Sequence, residues 1–92
     1  MSAPLIIDAH THAFPDALAD RAIPVLEKAA GVRARLNGTV SALLASMDMH
    51  GIDMSIVCSI ATKPSQTQAI LAWSAKIRSN RILPFPSIHP AD

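Results

Sequence analysis

The chain has no tyrosine, only three other aromatic residues and one cysteine among its 92 residues. With Cys58 alone, no disulfide can form within the chain, which is typical of a protein of the reducing cytoplasm. The three aromatic residues are not interleaved with basic ones, as a surface that stacks nucleic-acid bases requires. We therefore expect a cytoplasmic protein that does not bind nucleic acid.

Charged residues are also few, at 16%, and they nearly cancel to a formal net charge of +1. This balance does not predict a polyanionic partner or a membrane surface. No apolar run approaches the roughly 20 residues that a membrane-spanning helix needs, so we expect no membrane partner. Half of the residues are hydrophobic, which is typical of a globular chain with a packed core.

Three apolar runs rich in branched residues predict strands. They cover Leu5 to Ala9, Ile52 to Ile60 and Arg81 to Ile88. In the third run Pro84 and Pro86 are two residues apart, so both remove backbone donors from the same edge of a parallel strand. That edge is expected to pair weakly.

Helix signals fill the spaces between the strands. Asp16 is a plausible N-cap for a helix that ends at Gly31, and Pro24 predicts that this helix is kinked or divided into two. A second helix is expected after an N-cap at Thr39 and before Gly51. A third is expected from Pro64 to Asn80, with Trp73 on its apolar face as a core residue; the order β-α-β-α-β predicts a parallel α/β sheet.

The segment IIDAHTHAFP joins the first strand to two histidines that one residue separates. Strict alternation along the strand would put Asp8, His10 and His12 on one face. Two imidazoles held side by side on a strand are suitable ligands for a divalent metal, and Asp8 could fix a ring tautomer or shape the local field. The alternative interpretation is a pair of exposed loop histidines that bind nothing.

The other two histidines, His50 and His89, lie at the ends of a predicted helix and a predicted strand. His89 follows the third strand, and the carboxyl ends of parallel strands meet at one edge of a sheet, so it is expected near the first pair. It is either part of that site or an ordinary loop residue. His50 falls in the last turn of the second helix, where the helix dipole favours a cation, and a ligand role is not expected.

Several motifs together resemble the N-terminal third of the amidohydrolase-related TIM-barrel family. The sharpest is the D-x-H-x-H of the first strand; the others are Met47-x-x-x-Gly-Ile-Asp53, KPSQ before a helix, and ILPFPSIHPAD. Pro86 stands where a glycine would be expected. The resemblance covers nearly all of the chain and implies the first three strands of a (β/α)8 barrel.

The resemblance implies a metal-dependent hydrolase or a non-oxidative decarboxylase of small carboxylated compounds. His10 and His12 would be metal ligands, with zinc as the expected metal, Asp8 would support them, and Phe14 and His89 would contact the substrate. The remaining ligands and the acid-base residue would lie on later strands, so residues 1–92 are expected to form one partial domain. We therefore expect a fragment or truncated product that is inactive alone and that self-associates or pairs with the rest of a barrel. The alternative is a small non-catalytic α/β module that associates through its sheet edges.

Overall fold

A computed structural model describes residues 5–92 and has the predicted alternation of strands and helices. The elements, in chain order, are β1 (Ile7–Thr11), α1 (Asp16–Ala30), α2 (Val40–His50), β2 (Met54–Cys58), α3 (Thr67–Ile77) and β3 (Ile82–Phe85). The three strands form one parallel sheet in the order β1-β2-β3. The expected parallel α/β architecture is therefore confirmed.

The ends of α2 follow directly from its sequence. The hydroxyl of Thr39 accepts a hydrogen bond from the Ala42 backbone N–H, as an N-cap side chain should. At the other end Gly51 adopts a left-handed conformation (φ 68°), and its N–H donates to the carbonyl of Met47. Both predicted boundaries of this helix are confirmed.

The predicted N-cap of the first helix is wrong, and so is the predicted division of this helix at Pro24. Pro15, and not Asp16, is the residue at the N-cap, and its carbonyl accepts the N–H groups of Leu18 and Ala19. Asp16 is instead the first residue of the helix, where the positive end of the helix dipole stabilises its carboxylate. The helix also continues through Pro24, which lies on an exposed face, so it is one element of 15 residues.

The third helix and the second and third strands are shorter than predicted. Residues 63–65 form a turn in which Ser65 has a positive φ of 71°, so α3 begins at Thr67 and not at Pro64. The amide oxygen of Gln66 accepts the N–H groups of Thr62 and Lys63 and closes this turn. Side-chain bonds of this kind compete with helix formation, which explains the late start.

Pro84 lies on the outer edge of the third strand, and Pro86 comes after the end of this strand. The N–H groups of Ser55 and Ser59 donate to the carbonyls of Arg81 and Phe85, so the odd-numbered residues of β3 face β2. Pro84 therefore lacks its donor on the side away from β2, as the sequence predicts. Among residues 5–92, neither this edge nor the outer edge of β1 pairs with another strand.

Helices α2 and α3 cover one face of the sheet. The buried core consists of Ala13, Leu43, Met47, Val57 and Ile82, and Trp73 packs against it as expected. The opposite face carries Met54, Ile56 and Cys58 of β2. Their partners Ile7 of β1 and Phe85 of β3 lie on the same face and are half-exposed. Within residues 5–92 no helix combines the length and the apolar character needed to cross a membrane.

Candidate metal centre

A β-bulge shapes the end of the first strand. Asp8 is level with Ser55 and Thr11 is level with Val57, so β1 spans three steps where β2 spans two. One extra residue in a strand reverses the faces of the side chains that follow it. The hydroxyl of Thr11 donates to the Ile56 carbonyl at 2.8 Å and helps to hold the bulged strand against β2.

The bulge corrects the predicted position of Asp8. The register puts Asp8 and Thr11 on the helix-covered side, so His10 and His12, which flank Thr11, project from the opposite face. The carboxylate of Asp8 accepts the backbone N–H of His10 at 3.2 Å. Asp8 thus stabilises the bulged backbone through the main chain of His10, and not through an imidazole ring.

The rings of His10 and His12 converge as the sequence predicts. Their Nε2 atoms are 3.2 Å apart, and the ring planes meet at 73°. Two nitrogens bound to one tetrahedral zinc at about 2.0–2.1 Å would be about 3.3 Å apart. The pair therefore has the separation of two ligands of a single metal ion, although 3.2 Å also suits an N–H···N hydrogen bond between the two rings.

A backbone carbonyl sets the tautomer of one of these rings. The Nδ1 atom of His12 is 2.8 Å from the carbonyl oxygen of Cys58, which can only accept a hydrogen bond. Nδ1 therefore has the proton in the neutral ring, and the lone pair of Nε2 faces His10. A hydrogen bond from the second ring nitrogen to a carbonyl is the usual support for a metal-bound histidine.

The other candidate ligands do not join this pair. Among residues 5–92, no group of three or more His, Cys, Asp or Glu residues could hold a metal ion. The Nδ1 atom of His89 accepts the backbone N–H of Ala91 at 3.1 Å within its own turn. His50 is 2.8 Å from the Ser46 carbonyl at the end of α2, in agreement with the expected structural role.

Two apolar cavities adjoin the carboxyl end of β1, and Phe14 lines both of them. One, of about 270 Å³, is also lined by His12 and by side chains of α1. The other, of about 440 Å³, lies between α1, α3 and the loop after β2, with Arg21, Lys63 and Trp73 in its lining. Phe14 is fixed there because its N–H donates to the Gly38 carbonyl at 2.8 Å.

The segment after β3 is fastened to the start of α3 through Asp92. Its carboxylate accepts bonds from the Thr67 hydroxyl at 2.5 Å and from the Ser65 N–H at 2.6 Å. The Thr67 bond, followed by that from Ser65, lowers the pKa of Asp92 below its usual value. His89 lies in the same segment, where its carbonyl accepts the Asp92 N–H at 2.9 Å, and its charge also lowers the pKa of the Asp92 carboxyl.

Comparison of the chain with protein-family models, curated proteins and solved structures finds no match. The resemblance read from the motifs therefore remains an expectation about the family. The position of His10 and His12 and the support from Cys58 rest on the geometry of the chain itself.

Sequence reasoning missed the bulge, the role of Cys58 and the anchor at Asp92. The Cys58 contact is made by a main-chain carbonyl, which any residue would provide, so no residue type signals it. Asp92 acts on residues 25 and 27 positions earlier in the chain. Only the tertiary structure brings such distant groups together.

Proposed function

We propose that His10 and His12 bind one divalent metal ion, with zinc as the expected metal. The observation that supports this proposal is the 3.2 Å separation of the two Nε2 atoms. The Cys58 carbonyl adds to it, because it leaves the Nε2 lone pair of His12 free for a metal. The charge-neutral, nitrogen-donating pair also suits zinc better than calcium or magnesium, which prefer oxygen ligands.

We further propose that this centre belongs to a metal-dependent hydrolase or decarboxylase of the amidohydrolase-related type, of which the chain is the N-terminal part. The three parallel strands would then be the first three of a (β/α)8 barrel. Support comes from the ligand pair at the carboxyl end of a parallel strand, where such barrels carry their active sites. A cytoplasmic location is proposed with it, because Cys58 is the sole cysteine.

Each candidate site residue has a distinct role in this proposal. His10 and His12 hold the metal, and Asp8 fixes the bulge that orients them. Phe14 offers an apolar wall to a small carboxylated substrate beside His12, and His89 is proposed as a further substrate contact. When bound, the metal would lower the pKa of a water molecule or polarise a substrate carboxyl or carbonyl group.

An open catalytic zinc site normally has three protein ligands, and this chain provides two, His10 and His12. Because residues 5–92 contain no larger ligand group, we expect no appreciable turnover by this chain alone. The same observation favours the second candidate, a non-catalytic α/β module. The two candidates differ in whether added barrel strands, supplied as a longer chain, create activity at the metal.

Metal binding can be tested on the 92-residue chain by titration with Zn²⁺ and, for its absorption spectrum, with Co²⁺. The double variant His10→Ala/His12→Ala should lose metal binding, because it removes both nitrogens. Both rings are exposed, so the fold should survive, and circular dichroism would check that. His50→Ala is the matched control, since this exposed imidazole is bonded to its own helix.

Unchanged metal binding by the double variant would contradict the proposal. Loss of binding in the His50→Ala control as well would indicate nonspecific binding to surface imidazoles, and would contradict it equally. Loss in the double variant alone supports it.

A further inference from the structure

The ligand pair of His10 and His12 is exposed, and it is half of a coordination sphere. Structural zinc sites have four protein ligands, and residues 5–92 provide no group of more than two. Residues 1–4 contain no histidine, cysteine, aspartate or glutamate. A metal held only by this pair would therefore keep two positions directed away from the chain.

The same sheet face is apolar and only partly covered. Ile7 is 50% exposed and Phe85 is 53% exposed, and both project from the face that carries the histidine rings. Ile56 and Leu83 lie between them on β2 and β3 and are half-buried. An uncovered apolar face of a sheet is a site of association.

We propose that two copies of this chain share one zinc ion, to which each contributes His10 and His12. This inference rests on the proposed metal binding and names its partner, a second copy. A tetrahedron has two-fold axes that exchange one of its edges for the opposite edge. The 3.2 Å separation between the two Nε2 atoms is one such edge, and the second copy supplies the other.

The two-fold arrangement satisfies the ligand count and the apolar face together. The proposed axis passes through the metal and pairs the face of Ile7 and Phe85 with its copy, so that zinc coordination and apolar burial would act in the same complex. The net charge of +1 per chain opposes this association only weakly. The resulting four-histidine site is closed, with no position for a substrate, so this dimer belongs to the second candidate function, the non-catalytic module.

The first test measures how many zinc ions and how many copies of the 92-residue chain form the complex. Sedimentation gives the mass, and Zn²⁺ titration after EDTA treatment gives the ratio of zinc to chain. Zinc should double the sedimenting mass from 9.8 kDa, and the titration should end at one zinc per two chains. Co²⁺ in place of zinc should give the intense visible absorption of a tetrahedral site. EDTA should return the protein to its original mass.

Two variants separate the ligands from the apolar face. His10→Ala should abolish the doubling, whereas His50→Ala, an exposed imidazole outside the pair, should leave it unchanged. Phe85→Lys retains both ligands but puts a charge on the shared face, and should weaken zinc-dependent dimerisation at least tenfold.

A titration that ends at one zinc per chain, with the mass unchanged, would overturn the shared site and leave the proposed metal binding intact. Absence of zinc binding would overturn both. A doubling that persists in His10→Ala would show that zinc joins the chains elsewhere, and would also overturn the inference.

Discussion

The carboxylate of Asp92 and the hydroxyl of Thr67 are joined by a hydrogen bond of 2.5 Å across 25 residues of sequence. The second carboxylate oxygen accepts, at 2.6 Å, the N–H of Ser65, which is the only non-glycine residue with a positive φ among residues 5–92. Together these bonds hold the segment after β3 against the turn that precedes α3. They also lower the pKa of Asp92.

The first prediction concerns the pH dependence of this anchor. Because the folded-state pKa of Asp92 is lowered, its contribution to stability is present above the unfolded pKa of about 3.9 and is lost as pH falls through the lower folded value. Asp92→Asn should therefore reduce the melting temperature at pH 6. The difference between the two proteins should shrink as the pH falls below the unfolded pKa and on through the lower folded pKa.

Asp20→Asn is the control, since it removes an exposed carboxylate from α1. It should change the melting temperature much less at pH 6. A gap between wild type and Asp92→Asn that is the same at pH 6 and pH 3 would show that the carboxylate charge is not what stabilises the anchor.

The second prediction concerns Gly38, which is buried beside Phe14. It has a φ of +84°, and a Cβ atom there would lie 2.8 Å from Cγ1 of Ile23. Gly38→Ala combines left-handed strain of about 1–2 kcal/mol with overpacking of about 1–3 kcal/mol. We expect the free energy of unfolding, measured in urea, to fall by more than about 2 kcal/mol.

Gly31→Ala is the matched control for this substitution. Its φ is +69°, but a Cβ atom there would have no heavy atom within 4 Å. It should show the strain alone, about 1–2 kcal/mol. Equal losses for the two variants would mean that Ile23 moves aside and that packing around Gly38 is loose.

The third prediction concerns Arg81, which joins the end of α2 to the start of β2. Its guanidinium donates to the carbonyls of Ile52 and Asp53 at 3.0 and 2.8 Å and to the Asp48 carboxylate at 2.9 Å. Arg81→Ala should lower the free energy of unfolding by about 2–3 kcal/mol, because two carbonyls lose a charged donor.

Asp48→Asn should cost less than about 1 kcal/mol, since the ion pair it removes is largely exposed. Chemical denaturation of both variants compares the carbonyl bonds with the ion pair. If Asp48→Asn were as harmful as Arg81→Ala, the ion pair and not the carbonyl bonds would account for the role of Arg81.

Local sequence signals predicted much of this fold. The N-cap at Thr39 and the stop at Gly51 follow from the chemistry of single residues, and both are as expected. Of the two outcomes predicted for Pro24, a kink or a division of the helix, the division does not occur, because an exposed proline costs one bond that tertiary packing of the helix can outweigh. The late start of α3 depends on the side chain of Gln66, which acts on two backbone donors.

The histidine pair could be predicted more completely than its support. An H-x-H sequence on a strand fixes the convergence of the rings, and the 3.2 Å separation agrees with it. The position of Asp8 could not be predicted, because a bulge depends on how β1 pairs with β2 and not on β1 alone. The parallel sheet was expected from element order, whereas membership of a barrel stays a prediction.

The last prediction links the metal to folding. A ligand that binds the folded chain but not the unfolded chain stabilises it by about 2.7 kcal/mol at one hundred times its dissociation constant. The Nε2 atoms of His10 and His12 are held 3.2 Å apart by the bulge and by the hydrogen bond to the Cys58 carbonyl, and both of these form only in the folded protein. Zinc should therefore raise the melting temperature of the chain in calorimetry. His12→Ala should abolish this rise with little change in the metal-free melting temperature, because the ring is exposed. A zinc-dependent rise that persists in His12→Ala would show that the metal binds outside the pair.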